Sequence, residues 1–214
     1  LPDSGHPEIA IVSTSGESWK LVVPSLRRPN ENFKILIKCE DKWGNPSNKI
    51  KMDLILESNN EVKGLPKKVT FKNGFFAKTI RDINVFEEGV YKIILKDNNN
   101  KVLTVSNPIV IKVSEYAHFW SDMHGQSRET IGTNTAEEYF DFGKNRSFID
   151  ICGHQGNDFQ ITDDFWKELN QITKKYNKDG EFLAIPGYEW SGNTSVGGDH
   201  NVWYKKEGKP IFRS

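Results

Sequence analysis

Apolar and polar positions alternate in short runs through the first half of the chain. In residues 33–38, Phe33, Ile35 and Ile37 fall on one side of an extended chain, with Lys34 and Lys38 on the other. Comparable runs occupy residues 8–12, 51–56, 90–95 and 109–113, and each predicts a strand. Clusters of Gly, Asn, Ser and Pro at residues 43–46, 58–60, 72–74 and 97–100 predict turns between them. Strands at this spacing, with no amphipathic helix between them, predict an antiparallel, immunoglobulin-like β-sandwich over residues 1–114. Residues 87–91 lead into a late strand, where Tyr91 is expected to pack. Trp19, Trp43, Phe75 and Phe76 read as packing residues, since aromatic rings bury large areas; a sugar-binding face is the alternative. This stretch has no nucleophile, metal-ligating cluster or Gly-rich phosphate loop.

From Tyr116 the pattern changes to strand, helix, strand, helix, strand, which sets off residues 115–214 as a second domain. Residues 118–124 read as a strand ending in polar groups. Thr135 and Glu138 form a capping box that opens a helix through Tyr139, Phe140 and Phe142. Residues 148–152 read as a buried strand running into Gly153 and His154. Asp164 starts a second helix, with Phe165, Trp166, Leu169, Ile172 and Tyr176 near helical spacing. Residues 182–186 form a third strand, followed by Gly187-Tyr188-Glu189-Trp190. Gly197, Gly198 and Asp199 then turn the chain into a fourth strand through His200.

His124, His154 and Glu189 each fall where a core strand is expected to end, and Asp122 lies just inside the first. In a parallel α/β barrel such ends converge on one face, where the following loops build the active site. His200 begins its strand, and it reaches that face only if the preceding loop folds over the barrel mouth. Imidazole and carboxylate donors suit Zn²⁺, Mn²⁺ or Fe²⁺. Around them, Gln126 reads as a site-facing amide. Arg128 is a candidate grip for a phosphate oxygen, and Gln155 and Asn157 are candidate substrate contacts. His6 and His118 lie outside the pattern and read as structural.

The ordered set Asp122-Met123-His124, Gly153-His154, Gly187-Tyr188-Glu189-Trp190 and Gly198-Asp199-His200 resembles the PHP (polymerase and histidinol phosphatase) superfamily. It looks most like that superfamily's DUF3604 branch, over residues 119–204. The resemblance implies a (β/α) barrel of about seven strands, of which this chain is expected to hold only the first part. It implies metal ligation by His124, His154, Glu189 and His200, with Asp122 orienting His124. It also implies hydrolysis of a small phosphorylated substrate by metal-activated water, with Asp122, His124, His154 and Glu189 as the catalytic set. Two departures stand out: Gln126 replaces the second His of the opening motif, and Gly153 replaces the Asp before the second-motif His. They leave open a degenerate barrel with a glycan- or protein-binding sandwich; a second alternative is an amidohydrolase or deacetylase, since the same activated water attacks a carbonyl carbon equally well.

Charge bears on partners. The 214 residues carry 29 Lys and Arg against 29 Asp and Glu, so no general polyanion affinity is expected and nucleic acid is not favoured. No run is apolar enough to cross a bilayer. Cys39 and Cys152 fall in different domains and are expected to be reduced. No basic-then-apolar leader is visible; cytoplasm is favoured over periplasm. Asn145-Arg146-Ser147 and Asn193-Thr194-Ser195 match the glycosylation sequon, which arises often by chance.

Overall fold

A computed structural model describes residues 12–192, 195 and 197–214. It is mostly β-sheet, with few helices and several small sheets. The chain divides into two compact units, Leu1–Ala117 and His118–Ser214. His6, most of the strand expected at 8–12, and the sequon residues Asn193 and Thr194 lie outside the described residues.

Among the described residues, ten strands build the first unit: β1 (Ser18–Val22), β2 (Leu26–Arg27), β3 (Phe33–Glu40), β4 (Met52–Ser58), β5 (Lys68–Phe71), β6 (Ala77–Ile83), β7 (Gly89–Tyr91), β8 (Ile93–Lys96), β9 (Val102–Val105) and β10 (Ile109–Ile111). They form three sheets, ordered β1-β3-β6, β2-β10-β7 and β5-β4-β8-β9. This is a sandwich arrangement. The alternation seen in sequence sets its core: Phe33, Ile35, Ile37 and Cys39 of β3 meet Leu54 and Leu56 of β4, Ile93 and Leu95 of β8, and Ile109 and Ile111 of β10. Each such side chain contributes roughly 1.5–3 kcal/mol relative to exposure. The run expected at 90–95 divides after Tyr91. β7 pairs with β10 while β8 pairs with β4 and β9, so the chain changes sheets at Lys92. Tyr91 packs in the core and its hydroxyl donates to the Glu87 carbonyl at 3.0 Å, bracing that corner. Trp19 is buried edge-on to Phe71, whereas Trp43 and Phe75 are exposed.

In the second unit β11 (Ser121–Gly125), β12 (Ile151–His154) and β13 (Leu183–Ile185) form a parallel sheet in the order β11-β12-β13. Helices α1 (Ala136–Phe142) and α2 (Asp163–Tyr176) connect them, and α1 runs into a π-helical turn, Gly143–Ser147. β14 (Gly187–Ser191) and β15 (Asp199–Trp203) form an antiparallel ribbon. The first part of an α/β barrel was expected for this half; the described residues show a three-stranded parallel sheet with two open edges and a separate two-stranded ribbon, and form no barrel. The strand expected at 148–152 starts only at Ile151, because Phe148 adopts a left-handed conformation (φ 62°) that ends the π turn.

Both helices carry their start signals. Thr135 Oγ1 accepts from the Glu138 amide at 3.1 Å, and Glu138 Oε2 accepts from the Thr135 amide at 2.9 Å, completing the capping box. Thr135→Ala is expected to cost about 1 kcal/mol in urea unfolding, with no change in β-sheet signal. Thr162, two residues before the expected start, caps α2 through the Phe165 amide. Phe165, Trp166, Leu169, Ile172 and Thr173 form its buried stripe. This stripe packs with Phe140, Cys152, Ala184 and Tyr188. Cys39 and Cys152 are both free thiols. No helix among the described residues is long and apolar enough to cross a membrane.

Candidate functional site

Strand periodicity decides which side chains meet. Successive residues of a strand point to opposite faces. In β12, Cys152 packs among residues of the helices, so His154, two residues on, points to that same side. The imidazole of His154 is buried, with Tyr139 and Phe165 set edge-on at ring-centroid distances of 6.1 and 5.9 Å. Gly153 faces the other way, towards the Trp203 indole.

β11 escapes this alternation by one residue. Ser121 and Asp122 pair with Ile151 and Cys152, but Gly125 pairs with His154, so β11 carries one extra residue between Asp122 and Gly125. Such a bulge re-aims a side chain. The helix-facing place beside His154 goes to Gly125, against Tyr139, and His124 is released from it. The freed backbone N–H of His124 donates to Asp122 Oδ1 at 3.1 Å. Asp122 therefore holds His124 through the main chain.

The β14–β15 ribbon supplies the partner. Tyr188 is buried against Trp166 of α2, so Glu189 lies on the opposite face of the ribbon. His124 Nε2 comes to 3.3 Å from Glu189 Oε2, with side chains 47% and 11% exposed. Asn157 Nδ2 donates to the same oxygen at 3.0 Å, and Gln126 Nε2 approaches it at 3.4 Å while donating to Asn157 Oδ1 at 3.1 Å. Thr130 Oγ1 donates to Gln126 Oε1 at 2.7 Å, and Asn157 Nδ2 also donates to Ser191 Oγ at 2.8 Å. Backbone pairing fixes the frame: the Glu189 amide donates to the Gly156 carbonyl at 2.9 Å, and the Asp158 amide to the Glu189 carbonyl at 2.8 Å. Buried Asp158 accepts from the Ser191 amide at 2.8 Å, which anchors the end of β14.

Four of the residues singled out in sequence thus come together: His124, Gln126, Asn157 and Glu189. Others do not join them. Glu189 sits in the middle of its own strand and not at the end of β13. His200 pairs across the ribbon with Trp190, their rings 5.7 Å apart, and therefore lies on the face away from Glu189. Both nitrogens of His154 are engaged. Nδ1 accepts the Gly156 amide at 3.2 Å, so the proton resides on Nε2, 2.8 Å from Ser127 Oγ. Ser127 in turn hydrogen-bonds Glu129. Burial pushes the His154 imidazole down to about 4, against a smaller opposing pull from Glu129, and keeps it neutral. Burial of Glu129 is outweighed by hydrogen bonds from Ser127 and the amides of Glu129 and Ala136, with Arg128 nearby, so its carboxyl lies below the usual range. Gln155 is fully buried, its amide donating to the His154 carbonyl at 3.0 Å. Arg128 is exposed, with Nε 3.4 Å from Glu129.

Thr130 and Ser191 were not singled out in sequence. Ser191 follows Glu189 by two, so strand periodicity alone places it on the same face. Among the described residues no group of three His, Cys, Asp or Glu side chains gathers as a metal cluster. The donor set is one imidazole and one carboxylate, with two amides around the carboxylate. His124 and Glu189 are thus the described residues that could hold a metal here, one donor short of the three protein ligands usual for a catalytic zinc site.

The family described as "Protein of unknown function (DUF3604)" matches residues 97–212. An uncharacterised protein of Chlamydia pneumoniae is 23% identical over 219 aligned residues, covering 95% of this chain and 34% of that protein. An uncharacterised protein of Chlamydia trachomatis is 22% identical, with 95% and 34% covered. The chain thus spans about a third of the length of these relatives. Among solved structures, Parabacteroides merdae β-glucuronidase aligns over 47% of this chain and 13% of its own, at 15% identity and a TM-score of 0.35. That likeness is too distant to bear on fold or function.

Proposed function

We propose that this chain, which belongs to the DUF3604 family, carries part of the active site of a metal-dependent phosphoesterase of the PHP type, its second unit being the opening portion of a PHP-like α/β barrel. One observation supports this above the others: an imidazole and a carboxylate from distant segments converge at 3.3 Å, and two amides converge on the same carboxylate oxygen. His124 and Glu189 would hold the ion. When bound, such an ion lowers the pKa of a water molecule and makes hydroxide available near neutral pH.

The remaining work falls to this chain's own groups. Asn157 and Gln126 direct N–H groups at Glu189 Oε2 and hold the carboxylate in its orientation. Thr130 fixes which end of the Gln126 amide does so. The bulge and Asp122 hold His124 in place. Arg128, exposed two residues beyond Gln126, would take a non-reacting phosphoryl oxygen bidentately.

The test is hydrolysis by the full-length natural protein, loaded with Mn²⁺, Fe²⁺ or Zn²⁺, of a phosphomonoester, a phosphodiester and an acetylated amine. The expected result is phosphoester cleavage that chelation abolishes. Cleavage of the amide alone would replace the phosphoesterase reading with a deacetylase at the same site. No cleavage by metal-loaded protein would leave a non-catalytic barrel, a reading favoured by the placement of His154 and His200 away from Glu189.

A further inference from the structure

We infer that Tyr139 is a positioning residue for His124: its hydroxyl closes the break in the β11–β12 ladder that turns His124 away from the helix-facing side of the sheet. This deepens the hydrolase reading and rests on it for the catalytic consequence.

The bulge has a cost that something must offset. Where β11 carries its extra residue, the register between β11 and β12 shifts, and a bulge of this kind locally disrupts the ladder. Tyr139 Oη lies 3.2 Å from the Asp122 carbonyl and 3.3 Å from the Gly153 carbonyl, one on each strand at the interruption. One hydroxyl, sharing its single proton, therefore reaches carbonyls on both strands across the register shift. Burial pushes the Tyr139 phenol well above its ordinary range, so the hydroxyl keeps its proton and remains a donor at every working pH.

The sequence makes room for this arrangement. A Cβ built on Gly125 would lie 2.0 Å from the Tyr139 ring and 2.3 Å from its hydroxyl oxygen. Glycine at this position lets the ring slide under the bulge and reach both strands. The capping box of α1 sets the height of the helix, with Tyr139 immediately after Glu138. On the far side of the bulge, Asp122 Oδ1 takes the His124 amide. The extra residue is thus pinned from both sides, by Tyr139 at the carbonyls and by Asp122 at the N–H. Its side chain is the imidazole that meets Glu189.

The experiment compares the natural protein with Tyr139→Phe, Gly125→Ala and, as a control hydroxyl in the same core, Tyr176→Phe. Amide hydrogen exchange is read at His124, with the amides of Leu169 and Ile172 as references inside α2. The inference expects at least about tenfold faster exchange at His124 in Tyr139→Phe, unchanged references, and no effect in Tyr176→Phe. Gly125→Ala displaces the ring and should reproduce the local effect. Mn²⁺ affinity should fall about tenfold in Tyr139→Phe alongside. Unchanged exchange at His124, or an equal rise at Leu169 and Ile172, would overturn the inference and leave Tyr139 as ordinary core. If the natural protein takes up no ion at all, the hydrolase reading fails, and the exchange rates still decide this one.

Discussion

His124→Ala and Glu189→Ala are each expected to lower the Mn²⁺ affinity of the protein by at least about 100-fold, since each removes one of the two strong donors that meet among the described residues, a larger loss than for outer partners. Asn157→Ala should cost about 10–100-fold, as loss of an outer hydrogen-bond partner typically does. Asn157 spans Glu189, Gln126 and Ser191, so its removal frees the carboxylate and the Gln126 amide together. Gln126→Ala should cost less, because the 3.0 Å bond from Asn157 to Glu189 survives it. His200→Ala should change nothing, since its ring lies against Trp190 on the other face of the ribbon. Isothermal titration of the five variants separates these expectations. A loss in His200→Ala as large as that in His124→Ala would mean that the ribbon turns its other face to the site.

Acid should destabilise the second unit through His154. The imidazole titrates near 6.5 in the unfolded chain and near 4 when buried. Between these values the unfolded chain takes up a proton that the folded one refuses, so stability falls as pH drops through this window. The contribution is complete above about pH 6.5 and gone below about pH 4, and the shift corresponds to on the order of 3 kcal/mol. His154→Gln keeps a side chain that can accept from Gly156 and donate to Ser127, but it does not titrate. The difference in urea midpoint between protein and variant should therefore be constant above pH 6.5 and swing in favour of the variant on the way to pH 4. A constant difference throughout would place the imidazole in water, free to join His124.

Much of the sandwich was legible because its strands alternate. β3, β4, β8 and β10 each carry apolar residues at every second position, and the core falls where that period puts it. β6, an edge strand next to β3, escaped notice because its isoleucines, Ile80 and Ile83, stand three apart among polar residues and so show no two-residue period. The division of residues 89–96 between two sheets was equally invisible, since Lys92 at the crossing breaks no pattern that a single strand would keep.

The second unit shows a subtler limit. The helices were legible from the Thr135–Glu138 capping box and the α2 stripe, both local signals. The site was half legible. Placing ligands at strand ends named His124, His154 and Glu189, of which His124 and Glu189 meet; Gln126, from the opening motif, and Asn157, from the loop after His154, join them. Applying the two-residue period to Cys152 and His154 would have set His154 among the helices from the start. The same period, applied back from the buried Tyr188, turns Glu189 to the site, and across the ribbon it turns His200 away. What no local rule supplies is the bulge in β11. It depends on a ring from α1 sliding under Gly125, a tertiary fit that strand propensity does not encode.

Metal content is the most direct test of the central claim, that His124 and Glu189 form one divalent-ion site. Elemental analysis of the purified full-length protein, beside the His124→Ala, Glu189→Ala double variant, reads it without assuming a substrate. The account predicts near-stoichiometric Mn, Fe or Zn in the natural protein and its loss in the double variant. Natural protein without metal, or a double variant that retains it, would contradict the account and move attention to the exposed Trp43 and Phe75 of the sandwich.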